Sequence, residues 1–425
     1  MRLQLIILII LTILCNSGYE TRAQESVLTL EEVKSMALEN NKNLRKAQAS
    51  IEAAQANNAS ANAANKPTVD VSLSGMYLGD PLNSMLPEYS GNGILSASQV
   101  LYAGGKINNN RKLTATETEV RFAQKALTED EVLLKVETCY WNLISIKQQT
   151  VLANEYIRLL DALHTTLQNS YDAGMIYKND LLKVEVQMNE AELDLTKVKD
   201  GLTLTKLEFA QVIGMEGLNF DVPDDTTFTK VNRIMADIQS SVEKRPEVAM
   251  MNKSVEIQEI LEKLQQGERK PTVALSAYGI YGYGDGMNFT NGDDDLKTFA
   301  GLVSVQIPIF DWGGRKAKVR EQQSKTESQR LELEETKELI RIEIQNAWLK
   351  LNQSHQKIGL TMKSLQQAEE NLRLNENRFE AGTVIGEDVL EAQVLWQQAY
   401  SNLINAKAEY MINEAIYRKA TGELN

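Results

Sequence analysis

The chain contains very little cysteine, histidine or proline. Of its 425 residues, two are cysteines (Cys15 and Cys139), two are histidines (His164 and His355) and seven are prolines. The histidines lie on predicted helices at places that do not correspond in the repeat described below, and there is no Ser/His/Asp set, Cys/His cluster or phosphate-binding glycine loop. The sequence therefore predicts a protein that is not an enzyme, holds no metal or cofactor, and depends on packing and assembly for its stability.

Basic residues and long apolar runs are also scarce. There are 45 Lys and Arg against 58 Asp and Glu, and the net charge of −13 disfavours nucleic acid as a partner because like charges repel. The apolar run after Arg2, residues 3–11, is shorter than the roughly 20 residues of a spanning helix. Together with the small residues around Ala23 it predicts a secretory signal peptide over residues 1–23, against the alternative of a retained anchor. Leu14 is too large for lipid attachment at Cys15, which leaves with the signal.

What the chain does have is an internal repeat. Three landmarks return in the same order, 204, 209 and 208 residues later. They are Lys66-Pro67-Thr68-Val69 with Lys270-Pro271-Thr272-Val273, Gly104-Gly105-Lys106 with Gly313-Gly314-Arg315, and Tyr171-Asp172-Ala173-Gly174 with Phe379-Glu380-Ala381-Gly382. A repeat of this length predicts two copies of one structural module. We assign them to residues 24–233 and 234–425, with residues 222–233 as the link.

Each copy is predicted to contain a long helical hairpin. Residues 106–170 have no Gly or Pro and carry apolar side chains seven apart, as in a coiled coil; residues 316–378 are again free of Pro and carry Ile344, Leu351 and Ile358 seven apart. A second helix follows each Ala-Gly pair, and its apolar heptad positions correspond between the copies at an offset of 208 residues. A further helix precedes each strand pair, over about residues 30–64, with Thr29 as its N-cap and Glu32 completing a capping box, and over about residues 234–266.

Alternating polar and apolar residues predict strands between the helices. Residues 68–77 and 301–309 alternate clearly, residues 273–277 weakly and residues 94–102 poorly, and loops are predicted at residues 79–93 and 282–295. No segment after the first residues resembles a transmembrane helix, so any membrane crossing must use strands. Four strands with one apolar face cannot close on themselves, so several chains must complete one barrel, and counting alone leaves two or three copies open.

The two tip motifs, residues 171–182 and 379–392, and the two strand-to-helix junctions resemble the TolC-like outer membrane efflux protein family. The junctions are Leu101-Tyr102-Ala103-Gly104-Gly105 and Phe310-Asp311-Trp312-Gly313-Gly314. The resemblance implies a mainly helical homotrimer with a small β part: an outer membrane β-barrel, with four strands per chain and twelve per trimer, continued by a long periplasmic α-helical barrel. It further implies a passive exit duct, linked by a periplasmic adaptor (membrane fusion) protein to an inner-membrane pump of the resistance-nodulation-division or ABC type.

The resemblance also implies a set of residues at the channel entrance. Asp388 and Glu391 lie three apart and match acidic positions that ring the narrow periplasmic opening, although such acids commonly just stabilise a helix N-terminus. Asp180 occupies the matching position in the first copy. In some members this acid pairs with an arginine after the second tip, but here Val384 occupies that place, and Lys178 is the alternative partner.

The hairpin tips form the second set of predicted site residues. Gly174 and Gly382 permit the turn between long helices. The resemblance implies that Ala173-Gly174-Met175 and Ala381-Gly382-Thr383 form the surface that meets the adaptor.

The function predicted is the efflux of small molecules, such as drugs, toxic compounds or metal ions, across the outer membrane. Two alternatives remain open at this point: a type I protein secretion channel, and a secreted structural coiled-coil protein. The sequence does not identify the cargo, because a passive tunnel takes its cargo from the pump.

Overall fold

A computed structural model describes residues 26–223, 235–288 and 290–424. The predicted signal peptide and most of the predicted link at residues 222–233 lie outside the described residues. Within them, the helices are α1 (Leu30–Asn40), α2 (Lys42–Ala63), α3 (Lys106–Asp172), α4 (Lys178–Ile213), α5 (Ile238–Lys244), α6 (Pro246–Gly267), α7 (Gly314–Glu380) and α8 (Gly386–Thr421). The strands are β1 (Ser26–Val27), β2 (Thr68–Tyr77), β3 (Tyr89–Ala103), β4 (Phe220–Asp221), β5 (Thr272–Gly284) and β6 (Asp295–Gln306), and one 3₁₀ turn covers Leu82–Ser84.

The predicted long hairpins are confirmed. Helices α3 and α7 have 67 residues each, which at 1.5 Å per residue makes both about 100 Å long. Helices α4 and α8 have 36 residues each and end at Gly214 and Gly422, whose φ angles of 73° and 71° belong to the left-handed region that favours glycine. In the part of the chain that is described, no helix is both long enough and apolar enough to cross a membrane.

The single helices predicted over residues 30–64 and 234–266 are wrong, because each is broken in two. The break residues are Asn41 and Arg245, which lie 204 residues apart and have extended backbones with ψ angles of 127° and 132°. Both side chains are buried, and each donates to a carbonyl in the last turn of a hairpin: Asn41 to Val212 O at 2.7 Å, and Arg245 to Lys419 O at 3.1 Å. These bonds satisfy carbonyls that a helix end leaves without an internal partner. The capping box at Thr29 is confirmed.

The helices form a single layer with α3 in the middle. Near the sheet, α2 packs on one side of α3 and α6 on the other; towards the tips, α4 and α8 take these places. Among the described elements, helix α7 packs on α5, α6 and α8. One apolar core joins α7 and α8 to α5 and α6, and a second joins α1, α3 and α4. Helices α2, α4 and α7 therefore form the two free edges of the layer.

A buried carboxylate ties the two copies together near the middle of α3. Glu137 is fully buried, and it forms ion pairs with Lys34 of α1 at 2.9 Å and with Arg418 of α8 at 2.5 Å. One acid thus holds a base from each copy, which compensates for its own burial.

The sheet has the order β2-β3-β5-β6, and every neighbouring pair is antiparallel. Apolar side chains at odd-numbered positions share one face, with Val71 opposite Leu95 and Leu275 opposite Val303. The edge strands β2 and β6 each have a free outer edge, with no second partner among the described strands.

Three strand boundaries differ from the sequence prediction. Strand β3 begins at Tyr89 inside the predicted loop, because Gly91 and Gly93 pair with Gly75 and Leu73 and alternation is invisible at glycine. Strand β5 extends to Gly284, and β6 covers Asp295–Gln306 instead of residues 301–309. The short parallel pair of β1 and β4 has too few residues to show a period and was not predicted.

Candidate channel entrance at the hairpin tips

The two tips have the same backbone geometry. Gly174 and Gly382 have φ angles of 72° and 70°, and no atom lies within 4 Å of the position a Cβ would take. The residues after them donate backbone bonds to matching carbonyls, Met175 to Ser170 at 2.9 Å and Thr383 to Arg378 at 2.9 Å. The glycines are therefore needed for the left-handed backbone and not for space.

The predicted docking residues are all exposed at the tips. They are Ala173, Gly174, Met175, Ala381, Gly382 and Thr383. Large apolar side chains stand beside them without cover within the described chain: Met175 is 79% exposed, Tyr177 83% and Ile385 60%. An exposed apolar surface of this kind is typical of an interaction site.

The tips lie side by side because one small core joins both hairpins. Leu163 and Leu167 of α3 pack with Leu181 and Val184 of α4 and with Val389 of α8. Gly386, the first residue of α8, makes the closest approach: a Cβ built there would lie 2.7 Å from Leu167 Cδ2. The repeat position of Gly386 in the first copy is Lys178, so the two hairpins do not make this contact alike.

The structure places Asp388 and Glu391 on the exposed side of the first turns of α8. Asp388 Oδ2 accepts a hydrogen bond at 3.1 Å from the backbone N–H of Ile385, so this carboxylate also caps the helix. Asp180 is half-buried in the first turn of α4. Its neighbour Leu181 shares a core with Val389, so the structure brings the helix starts that carry Asp180 and Asp388 together.

An ion pair that the sequence did not reveal connects the two helix starts. Lys183 Nζ of α4 lies 2.5 Å from Glu387 Oε2 of α8, and both side chains are partly exposed. Lys178 makes no ion pair in the described part of the chain, and Val384 cannot make one. Lys183 and Glu387 occupy repeat positions that do not correspond, so comparing the copies gave no signal for this pair.

A cluster of titratable groups with shifted pKa values lies far from the tips, around Arg245. Its guanidinium donates two hydrogen bonds to Glu247, at 3.0 and 2.5 Å, and lies 3.3 Å from Glu343. Burial acts to raise the pKa of Glu247, but the hydrogen bonds and charge of Arg245 outweigh it and hold that pKa below its usual value. Burial, followed by the charge of Glu247, raises the pKa of the nearby Asp130.

The two histidines lie beside different neighbours. His164 Nε2 lies 3.6 Å from Glu185 of the same hairpin, and the His355 ring packs beside Tyr410 at 5.9 Å. Among the described residues there is no group of three or more Cys, His, Asp or Glu side chains that could hold a metal ion.

A sheet with two open edges, continued by helices about 100 Å long that end in exposed tips, defines the subunit of an outer membrane channel. A family model, outer membrane efflux protein, matches residues 33–215 and 238–423, that is, most of both copies. The chain belongs to this family, as the tip and junction motifs predicted, and is an outer membrane efflux protein whose long helices form the periplasmic part.

Known proteins of this class resemble the chain over most of its length. The outer membrane efflux protein BepC of Brucella suis biovar 1 (strain 1330) is 21% identical over 341 residues, which cover 78% of this chain and 72% of BepC. Two solved structures have the same fold. The open state of the MtrE outer membrane channel of Neisseria gonorrhoeae superposes with a TM-score of 0.81 at 19% identity, covering 96% of this chain and 94% of MtrE. The outer membrane protein VceC of Vibrio cholerae gives 0.78 at 16% identity, covering 92% and 96%.

Proposed function

We propose that three copies of this chain form one passive exit duct of a tripartite efflux pump. The observation that carries the proposal is the open edge of the sheet on both sides, at β2 and β6. Lipid offers no partner to a free backbone N–H, so a spanning sheet must close, and cyclic copies of one chain close it most simply. Three copies of a four-stranded sheet make a barrel of twelve strands, and α2, α4 and α7 likewise leave edges for neighbours.

The chain consists, in this proposal, of two copies of one module at residues 24–233 and 234–425. The recurring helix lengths, the two break residues and the two tip glycines support the division. The boundary itself lies outside the described residues. Six modules in a trimer would give the tube its regular wall.

The tips are the proposed docking surface for a periplasmic adaptor protein, which connects the duct to an inner-membrane pump of the resistance-nodulation-division or ABC type. Supporting this, Ala173 and Ala381 lie at the outermost turns and are exposed, with uncovered Met175, Tyr177 and Ile385 beside them. Flexible and aromatic apolar side chains at an exposed end suit contact with another protein.

Asp388, Glu391 and Asp180 are the proposed entrance residues. Three copies of each acid near the axis would make the opening electronegative, favouring cations and opposing anions. The ion pair of Lys183 with Glu387 supports a closed resting entrance, because it ties α4 to α8 where the helices begin. The proposed cargo is small molecules, such as drugs, toxic compounds or metal ions, and the efflux channels among the relatives support this over protein secretion.

The entrance is tested by the ion selectivity of the purified protein in planar bilayers. Asn at position 388 still accepts the bond from Ile385 N–H, so Asp388→Asn with Glu391→Gln removes two charges without removing the cap. We expect cation selectivity and block by polyvalent cations to fall sharply. The matched control, Glu369→Gln with Glu370→Gln, lies on α7 away from the tip and leaves both unchanged. Unaltered selectivity in the entrance variant would refute the assignment.

The docking surface is tested at the alanines next to the tip glycines. Ala173 and Ala381 have ordinary helical backbones, with φ angles of −77° and −80°, so Ala173→Trp with Ala381→Trp adds bulk without the strain that substitution of Gly174 or Gly382 brings. We expect loss of drug resistance in cells, with trimer assembly and bilayer conductance intact. Full resistance with both tryptophans present would exclude the tips as the adaptor site.

A further inference from the structure

Helices α3 and α7 are equivalent in the repeat but have different neighbours. Helix α3 has α2 and α4 on one side and α6 and α8 on the other, whereas the described neighbours of α7 are α5, α6 and α8, all from its own copy. Residues 208 apart therefore differ in exposure: Thr116 is buried and Ser324 is exposed, and Asp130 is buried and Glu338 is exposed. The side of α7 that corresponds to the side of α3 covered by α6 and α8 therefore has no partner among the described residues.

That side of α7 carries a stripe with the spacing of a coiled-coil seam. The stripe, called here the α7 stripe, consists of Leu331, Glu335, Glu338, Ile342 and Leu349. All five side chains are exposed, and Leu331, Ile342 and Leu349 are 58%, 62% and 66% exposed. Neither acid has an ion-pair partner within the described residues. Two acids are thus set between large apolar side chains, all facing outwards.

Helix α2 carries a second uncovered stripe on the side opposite its contact with α3. This α2 stripe consists of Lys42, Lys46, Ala49, Ala53 and Ala56, all exposed. The opposite side packs on α3 through Leu44 and Ile51, which are buried. Lys42 and Lys46 likewise make no ion pair in the described part of the chain. The edge formed by α2 is therefore basic at the level along the helices where the edge formed by α7 is acidic.

The contact of α6 with α3 inside the chain supplies the geometry for joining the two stripes. In α6 the positions equivalent to Ala49 and Ala56 are Lys253 and Ile260; Lys253 pairs with Glu119 of α3 at 2.5 Å and Ile260 is buried. Position 49 is 204 residues before Lys253, and position 327 is 208 residues after Glu119. The same contact made between two copies of the chain would therefore place Ala49 of one copy opposite residue 327 in α7 of the other. Since the helices run antiparallel, Lys42 then lies opposite residue 334, one residue from Glu335 and four from Glu338. Lys46 lies opposite residue 330, five residues or about 7.5 Å along the helix from Glu335.

We propose that the α2 stripe of one copy packs against the α7 stripe of a second copy of this chain, with Lys42 and Lys46 paired to Glu335 and Glu338 across the interface. The inference rests on the proposed trimer and adds the residues that align its subunits. The three alanines of the α2 stripe let the helices approach closely, but such small side chains slide easily past their neighbours. The charges favour this register, because sliding α2 further from Glu335 and Glu338 separates the pairs.

Charge reversal with a restoring swap tests the pairing in the full-length protein extracted in mild detergent. Glu335→Lys with Glu338→Lys sets four positive charges together, and we expect the trimer to dissociate at least about tenfold faster at low salt. Lys42→Glu with Lys46→Glu has the same effect. Combining all four substitutions restores dissociation to within about threefold of the original chain, because opposite charges face each other again.

The matched control is Glu332→Lys with Glu369→Lys, which makes the same change of charge on exposed positions of α7 outside the stripe. We expect the control to dissociate as the unmodified protein does. A control as unstable as the stripe variant, or a fourfold variant no better than either double variant, would overturn the pairing. An unmodified chain that stays monomeric by light scattering would overturn the trimer itself, and a trimer indifferent to all four charges would overturn the pairing alone.

Discussion

The two copies break the same helix at the same place, but they satisfy the break by different chemistry. In the first copy Asn41 caps α2, accepting from Asn43 N–H at 2.8 Å, and donates one bond to Val212 O. In the second, Arg245 reaches the last turn of α8 and also holds Glu247 and Glu343. The fold requires a buried donor at this point and accepts either a neutral or a charged one. A charged donor at this buried position requires carboxylates beside it to compensate its charge.

The largest expected effect is the loss of the charged donor. Arg245→Ala leaves Glu247 without the guanidinium that compensates its burial, so we expect about 3–5 kcal/mol off the free energy of unfolding. Asn41→Ala removes a cap and one bond to a carbonyl, and about 1–2 kcal/mol is expected. Urea unfolding followed by circular dichroism compares the two. Equal losses would mean that the second copy gains nothing from its ion network.

A difference at the tips gives the next effect. Gly386→Ala places a methyl group 2.7 Å from the Leu167 side chain, which is itself buried, and we expect about 1–2 kcal/mol of destabilisation. Its counterpart Lys178→Ala is exposed and serves as the control, with a change within about 0.5 kcal/mol. Urea unfolding followed by circular dichroism measures the change in both variants. If Gly386→Ala is as harmless as Lys178→Ala, the close contact between hairpins has no energetic importance.

A smaller effect depends on pH. The raised pKa of Asp130 means that its ionisation opposes folding, so its unfavourable contribution is absent at low pH and grows as pH rises from the unfolded pKa through the folded one. Asp130→Asn should therefore stabilise the protein by up to about 1 kcal/mol near neutral pH and have no effect in acid. Thermal melting across this pH range measures it. A benefit that increases towards acid would contradict the assignment.

The smallest effect on stability comes from the ion pair between the hairpins. Both partners are about half exposed, so Lys183→Gln should cost under about 0.5 kcal/mol. We nevertheless expect higher bilayer conductance, because the starts of α4 and α8 are no longer tied. Lys178→Gln, close by on α4 but without an ion-pair partner in the described residues, provides the comparison and should conduct as the unmodified protein does.

The regular elements were predictable because their signals are local and repeated. The heptads and the lack of Gly and Pro predicted α3 within two residues of its end at Asp172, and the Ala-Gly pairs predicted both tips. The break at Arg245 has a local signal that the prediction of one helix overlooked, because Pro246 disfavours a helical backbone at the residue before it and often begins a helix. Asn41 is a common type of N-cap residue, but Asn40 and Asn43 beside it make the local signal weaker. What the sequence did not show is that both buried side chains also donate to the carbonyl of a distant hairpin end.

In the candidate site, too, local signals predicted some features and not others. The positions of Asp388 and Glu391 on one helix face follow from their spacing, and the exposed tips follow from the glycine turns. The Lys183–Glu387 pair and the Gly386–Leu167 contact join residues about 200 apart whose repeat positions do not correspond. No period or motif in one sequence relates such residues.

The sequence by itself determined the duplication, the long hairpins, the alternating strands and the family, because periodicity and glycine turns act within a few residues of the chain. Only the tertiary structure decided which equivalent surfaces are covered and which are open. Helix α3 lies between neighbours on both sides and α7 does not, although the two are alike in length and place in the repeat. Burial depends on what packs against a helix, and that is a property of the whole layer.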